Sequence, residues 1–178
     1  MKKILCAVTV LSLIGLGGPA FAEVQNPMLR TGTQELGLSG NVDFDDPGGD
    51  VSLDIFGSYG YFIQDYVELG GRVGYVREQG GDSERISLGV FGEYNFPASA
   101  IGVPFIGLAL DYSYAEVLDE DNDAFVLTPS AGVKWFIRDY FAIDTRLFLN
   151  WASEDLYLND GEADDINWGL SLGLRTYF

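Results

Sequence analysis

Apolar and polar residues alternate along most of the chain after about residue 33. The final stretch shows this most clearly, because every second residue belongs to one mainly apolar set: Ile166, Trp168, Leu170, Leu172, Leu174, Thr176 and Phe178. The residues between them are mostly small or polar. A helix would mix the two sets around its surface, whereas a strand places them on opposite faces. The period of two therefore predicts a β-strand over 166–178.

The same period predicts seven further strands. They are Thr33–Phe44, Val51–Phe62, Tyr66–Val76, Arg85–Phe96, Pro104–Tyr114, Phe125–Phe136 and Tyr140–Trp151. Eight strands in residues 23–178 amount to roughly one per 20 residues, which fits a bilayer-spanning strand of about 10 residues plus a connection. Pro129 lacks a backbone donor, so we expect a bulge there or a strand that starts late.

The predicted connections alternate in character. Residues 63–65 and 137–139 form tight links, and residues 97–103 form a somewhat longer one. The other four connections are acidic: Asp45–Asp50, Arg77–Glu84, Ala115–Ala124 and Ala152–Asp165, with formal charges of −3, −2, −5 and −6. Short turns at one end and longer polar loops at the other are typical of an up-and-down transmembrane β-barrel.

Residues 1–22 have the features of a cleaved signal peptide. Lys2 and Lys3 precede the apolar run Ile4–Leu16, and Ala20-Phe21-Ala22 supplies a small-x-small cleavage site. The apolar run is shorter than the ~20 residues that a membrane-spanning helix needs. We therefore expect two regions, a signal peptide over 1–22 and an exported barrel over 23–178.

Composition removes several classes of function. Without Lys2 and Lys3 the exported chain has 8 basic residues against 27 acidic ones, a formal charge of −19, so nucleic acid is excluded as a partner. Cys6 leaves with the signal peptide, so no disulfide forms. The chain has no histidine, which excludes Ser-His-Asp catalysis and the usual histidine zinc sites. We expect neither an enzyme nor a cofactor.

The polar strand faces predict which side of the wall meets lipid. They are rich in glycine and serine, which suits a narrow lumen better than a solvated surface. Their charges nearly balance, with seven acids (Glu35, Asp43, Asp54, Glu68, Glu93, Asp111 and Asp144) against five bases (Arg72, Arg85, Lys134, Arg146 and Arg175). Buried charges require partners, so we predict a paired network inside the barrel and lipid outside. Tyrosines and tryptophans near the strand ends agree with membrane interfaces.

With these features the chain resembles the small OmpA/OmpX-like outer-membrane β-barrel family, including its opacity and porin-like members. The resemblance implies an eight-stranded antiparallel barrel in the outer membrane, in contact with its lipids and lipopolysaccharide. It also implies that the barrel is a monomer. It also implies that Leu170, Leu172, Leu174 and Phe178 form the C-terminal signal for the barrel-assembly machinery after escort by periplasmic chaperones. Thr176 departs from that signal, in which an apolar residue is usual.

The acidic connection at 115–124 raises one metal hypothesis. Asp119, Asp121 and Asp123 offer the hard oxygen ligands that Ca²⁺ prefers, so Ca²⁺ weakly bound at the acidic loops is one prediction. The spacing is not that of an EF-hand loop, and we favour a solvated acidic loop.

Three functions fit these expectations. The first is a structural or surface-interaction role in the envelope, with the lumen plugged by paired charges. The alternatives are a minor diffusion porin and a soluble periplasmic barrel that binds an apolar ligand. Conductance separates the first two, and cell fractionation separates both from the third.

Overall fold

A computed structural model describes residues 28–43, 53–77, 84–117, 120–154, 157–159 and 162–178. Every regular element in these ranges is a strand. The described residues contain no helix that is long and apolar enough to cross a membrane. The strands are β1 (Gln34–Asp43), β2 (Leu53–Gln64), β3 (Val67–Arg77), β4 (Glu84–Asn95), β5 (Gly102–Val117), β6 (Glu120–Arg138), β7 (Phe141–Ala152), β8 (Tyr157–Asn159), β9 (Glu162–Asp164) and β10 (Ile166–Tyr177). The predicted signal peptide, 1–22, lies outside the described residues.

Eight of these strands form one closed antiparallel barrel in the order β1-β10-β7-β6-β5-β4-β3-β2. Each strand pairs with its sequence neighbour in the wall, and β1 closes the barrel against β10, with Leu38 opposite Leu174. The predicted eight-stranded fold is confirmed. Short turns and the start of β1 lie at one end, which we call the turn end. The other connections lie at the opposite end, which we call the loop end.

The barrel wall carries its apolar side chains on the outside. Leu88 and Val90, in the middle of β4, are 65% and 61% exposed, whereas Glu93 on the same strand is buried. The pattern repeats in the other wall strands, because alternate residues of a strand point to opposite faces. A water-soluble barrel would have the reverse arrangement, with apolar side chains inside.

Two segments that were predicted to be loops contain regular structure, so these two predictions were wrong in part. Residues 115–117 and 120–124 continue the hairpin of β5 and β6, whose pairing extends to Val117 opposite Glu120. Two antiparallel strands can continue to satisfy each other's backbone groups beyond the wall, so acidity alone did not end them. The connection over 152–165 contains the small hairpin of β8 and β9.

The expectation for Pro129 was also wrong. β6 starts nine residues before this proline, at Glu120, and its register with β7 does not shift there. The backbone pairing with β7 is interrupted at Thr128 and Pro129 instead, since proline has no N–H to donate. The Thr128 hydroxyl donates to Oδ1 of Asn150 at 2.8 Å across this gap.

Two turns at the turn end share a sequence pattern and a geometry. Residues 61–66 and 135–140 both carry aromatic-Phe-Ile-x-Asp-Tyr. In each, the strand pairing shifts by one residue after the phenylalanine, Phe62 or Phe136. Phe62 and Phe136 point into the barrel and Ile63 and Ile137 point outward, as the alternation of β2 and β6 places them.

Candidate functional site

The centre of the lumen is an ion cluster built around Lys134, which is fully buried on β6. Its Nζ lies 2.9 Å from Oε2 of Glu35, 3.2 Å from Oε2 of Glu68 and 3.0 Å from Oε2 of Glu93. These carboxylates come from β1, β3 and β4. One ammonium group therefore ties together strands from opposite sides of the barrel.

Two arginines extend this cluster. Arg175 on β10 pairs with Glu35 and donates from Nε to Oδ1 of Asp144 at 2.9 Å. Arg146 on β7 donates to Oε1 of Glu93 at 2.6 Å. We call the seven residues the lumen network: Glu35, Glu68, Glu93, Lys134, Asp144, Arg146 and Arg175. Every wall strand except β2 and β5 contributes to it.

A separate pair lies closer to the loop end. The Arg72 guanidinium on β3 makes a two-point ion pair with Asp111 on β5, with Nε 2.7 Å from Oδ1. Arg72 also donates to Oγ1 of Thr128 at 3.2 Å. A cavity of about 30 Å³ reaches Arg72 and Arg146, which is room for one or two water molecules.

The turn end of the lumen is closed by an apolar cluster that the sequence reasoning missed. We call it the turn-end plug; its buried members are Leu29, Phe62, Val103, Phe136, Ala142 and Tyr177. The Phe136 and Tyr177 rings lie 5.2 Å apart between centroids. Lys134 Nζ lies 6.0 Å from the ring centroids of both Phe62 and Tyr177, so the plug and the network are in contact.

Leu29 reaches this plug because the chain before β1 folds under the barrel. Gly32, at a φ of 95°, donates its N–H to the Phe62 carbonyl at 2.9 Å, and the Tyr66 N–H donates to the Leu29 carbonyl at 2.9 Å. Tyr66 is half-buried against the plug. The available sequence signal was the Phe repeated at positions 62 and 136, which belongs to the inward-facing set next to each repeated turn.

A surface clasp holds the same segment. The backbone N–H and the hydroxyl of Thr31 both donate to Oδ1 of Asp65, each at 2.9 Å. The two hydrogen bonds lower the pKa of Asp65 below its ordinary value of 3.8. The bond from the backbone N–H has the larger effect, and the bond from the hydroxyl has the smaller one. The clasp lies on the turn between β2 and β3.

The other predicted residues have the following positions. Asp54 is buried and Arg85 half-buried on the inner side near the loop end. Leu170, Leu172 and Leu174 lie on the outer face of β10, and Phe178 follows the strand and is exposed. The side chain of Asp43 lies outside the described residues, so its predicted place in the lumen is not described.

The predicted calcium ligands of the acidic connection are only partly among the described residues. Within the described ranges, no three His, Cys, Asp or Glu side chains are placed to hold a metal ion. Asp119 and the side chain of Asp121 lie outside those ranges. Asp123 accepts a hydrogen bond from the Tyr112 hydroxyl at 2.6 Å. Calcium binding therefore stays a prediction.

The arrangement of the described side chains closes the lumen. The charged groups of the lumen form ion pairs with each other, and the turn-end plug covers one end of the network. The charged residues predicted for the lumen all lie on the inner wall wherever their side chains are described, and nine of them meet in the two ion-paired groups.

Comparison with known proteins identifies the fold. No protein-family description and no curated protein sequence matches the chain. Its structure is similar to the N-terminal β-barrel domain of Pseudomonas aeruginosa OprF, with a TM-score of 0.63 and 17% identity over 83% of this chain and 98% of that one. It is also similar to Neisserial surface protein A, with a TM-score of 0.58 and 17% identity over 82% and 95% of the two chains.

A third similar structure is the Yersinia pestis outer-membrane protein Ail in a phospholipid bilayer nanodisc. The TM-score is 0.53, and the identity is 13% over 83% of this chain and 99% of that one. At these identities the likeness shows the fold alone. The expected resemblance to small outer-membrane β-barrels is thus confirmed at the level of the fold.

Proposed function

We propose that this chain is an outer-membrane β-barrel with a structural or surface-interaction role, and that its lumen is closed to solutes. The single observation that carries the proposal is the inverted distribution of residues: large apolar side chains cover the outside of a closed barrel, while paired charges are buried inside. Such an outer surface is stable in lipid and aggregates in water. The shared fold with outer-membrane proteins supports the location.

Two barriers in series support a closed lumen. A solute entering from the turn end first meets the turn-end plug, in which Leu29 and Phe62 are fully buried. Behind it lies the lumen network, where Lys134 is held by three carboxylates. A solute would have to separate buried ion pairs, and removing one partner from such a pair costs about 3–5 kcal/mol.

The polarity of the barrel suggests which parts face which compartment. In outer-membrane barrels short turns face the periplasm and longer loops face outward. The turn end, with the Thr31–Asp65 clasp, would therefore be periplasmic, and the acidic connections would be at the cell surface. There they would contact external partners or lie beside lipopolysaccharide.

We further propose that the role is not catalytic. The chain has no histidine, and the charged groups of the lumen are engaged in ion pairs with one another. For biogenesis, we propose that the outward leucines of β10 with Phe178 are read by the barrel-assembly machinery.

The test is cell fractionation combined with electrophoresis of unboiled and boiled samples. We expect the protein in the outer-membrane fraction and a change in migration on boiling, because a closed barrel resists dodecyl sulfate until it is heated. A variant without residues 2–22 is the matched control and should remain in the cytoplasm. Recovery of the full chain in the soluble periplasmic fraction would refute the proposal.

Planar-bilayer recordings test closure separately. We expect no discrete channel openings from the folded protein. Steady conductance would favour the diffusion-pore alternative while leaving the membrane location intact.

A further inference from the structure

The lumen network has one more acid than it has bases. Its acids are Glu35, Glu68, Glu93 and Asp144, and its bases are Lys134, Arg146 and Arg175. All of these side chains are at most 4% exposed except Arg146, at 13%. The neighbouring Arg72 does not correct the imbalance, because it is paired with Asp111. If all four acids were ionised, the network would hold a buried net charge of −1.

A buried excess charge is normally removed by taking up a proton. The contacts indicate which acid takes it. Glu93 faces all three cations, at 3.0 Å from Lys134, 2.6 Å from Arg146 and 3.6 Å from Arg175. Glu35 and Asp144 each face two cations. Glu68 faces Lys134 alone, at 3.2 Å, the longest of the three Lys134 contacts.

The second oxygen of Glu68 gives independent evidence. Glu68 Oε1 is fully buried, and none of the described residues donates a hydrogen bond to it. The oxygen lies against the backbone of Gly60 on β2, where an added Cβ would collide with it. A charged carboxylate oxygen without a donor is costly in such a place, whereas a neutral carboxylic acid is far less so.

The groups around Glu68 from the other strands agree with this assignment. The titratable and charged ones are Glu35 on β1, Glu93 on β4, Lys134 on β6, Asp144 and Arg146 on β7, and Arg175 and Tyr177 on β10. β2 contributes Gly60 and Phe62, which do not titrate. The two nearest like charges, Glu35 and Glu93, compete with Glu68 for the same ammonium group.

We propose that the lumen of the folded barrel is a proton-binding site, with one proton held on the carboxyl group of Glu68 at neutral pH. A glutamate in the unfolded chain is ionised above about pH 4.3, so folding at neutral pH takes up this proton. The stability that depends on it is present while Glu68 is protonated and is lost as the pH rises. For one proton, the unfolding equilibrium constant increases up to about tenfold per pH unit.

Infrared spectroscopy of the folded full-length exported chain in lipid vesicles tests the site directly. We expect the carbonyl stretch of a buried carboxylic acid in the wild type at pH 7, and its loss in Glu68→Gln. Asp111→Asn is the matched control, because Asp111 is a buried lumen acid outside the network, and the band should persist in it. Absence of the band from the wild type, or its persistence in Glu68→Gln, would overturn the proposal.

Equilibrium unfolding in urea provides a second measurement. Between about pH 6 and 9, above the range of an ordinary glutamate, the unfolding constant of the wild type should rise relative to that of Glu68→Gln. Asp111→Asn should follow the wild-type slope. Equal slopes for the wild type and Glu68→Gln would exclude a proton on Glu68. If Glu68→Gln did not fold, absence of the carbonyl band from the wild type at pH 7 would still overturn the proposal.

Discussion

The two faces of the barrel wall solve the same packing problem in opposite ways. On the outside, apolar side chains such as Leu88 and Val90 are exposed, and they need neither hydrogen bonds nor ion pairs. On the inside, every charge of the lumen network is held by residues on other strands, and Lys134 alone contacts three of them. The outer face therefore tolerates changes of shape and rejects charge, whereas the inner face depends on both shape and charge balance.

Removal of the central cation should break this contrast most strongly. Lys134→Met leaves Glu35, Glu68 and Glu93 without their shared partner, and we expect a loss of about 3–5 kcal/mol in the free energy of unfolding. Urea titration in lipid vesicles measures it. Arg138→Met, which removes an exposed cation four residues away, should change stability by less than about 0.5 kcal/mol. Equal effects of the two variants would contradict a stabilising lumen network.

A charge placed on the outer face should have the next largest effect. Val90→Arg puts a guanidinium in the middle of the exposed apolar band, and we expect a loss of about 2–4 kcal/mol in a bilayer. Ile63→Arg, at the turn end, should lose no more than about 1 kcal/mol, since its charge reaches the interface. The same unfolding assay applies. Equal losses of stability for Val90→Arg and Ile63→Arg would argue against lipid around the barrel.

A matched pair of glycines compares the faces without any charge. Gly132 points inward, and an added Cβ would meet the Thr145 carbonyl and lie 2.8 Å from the Phe105 ring. Gly71 points outward, and its nearest neighbour would be 3.7 Å away. We expect Gly132→Ala to lose about 1–3 kcal/mol through overpacking. Gly71→Ala should gain up to about 1 kcal/mol, because alanine loses less backbone freedom in a strand. Reversal of these signs in urea titrations would show that the faces are assigned wrongly.

The smallest effect should come from the clasp, which belongs to neither face. Because the pKa of Asp65 is lowered in the folded protein, the clasp is intact above the ordinary value of 3.8 and is lost as the pH falls through the lower folded value. Asp65→Ala should therefore speed hydrogen exchange of the Thr31 amide at neutral pH. Asp139→Ala changes the equivalent residue of the other repeated turn and should leave that amide unchanged. Equal exchange in both variants would show that the clasp does not protect it.

Alternation predicted the faces of the wall well, because the side-chain period of a strand is fixed by its geometry. It did not predict partners. That Lys134 contacts acids on β1, β3 and β4 depends on strand register and on the width of the closed barrel, neither of which a period of two contains. For the same reason the sequence did not predict that the lumen network has one acid more than it has bases, or that this acid is Glu68. Counting acids and bases on a strand face does not show which of them are in contact.

Leu29 and the extended hairpin escaped prediction for a different reason. Leu29 precedes the first alternating stretch, so no periodicity marks it as buried. The acidic residues of 115–124 disfavour strands by composition, yet the pairing of β5 with β6 overrides that preference. Tertiary context determined the structure in both cases.

The seam between β1 and β10 has a consequence for the order of events in folding. Neighbouring hairpins form from residues close in sequence, but the bond from Arg175 to Glu35 joins residues 140 positions apart. The entropy of closing so long a loop makes the seam a late step. Leu29 and Tyr177 pack in the same plug, so the turn end is sealed at that step as well. Until then the chain has two unpaired strand edges and its apolar outer face exposed, which makes the interval before closure the time at which it is most prone to aggregate.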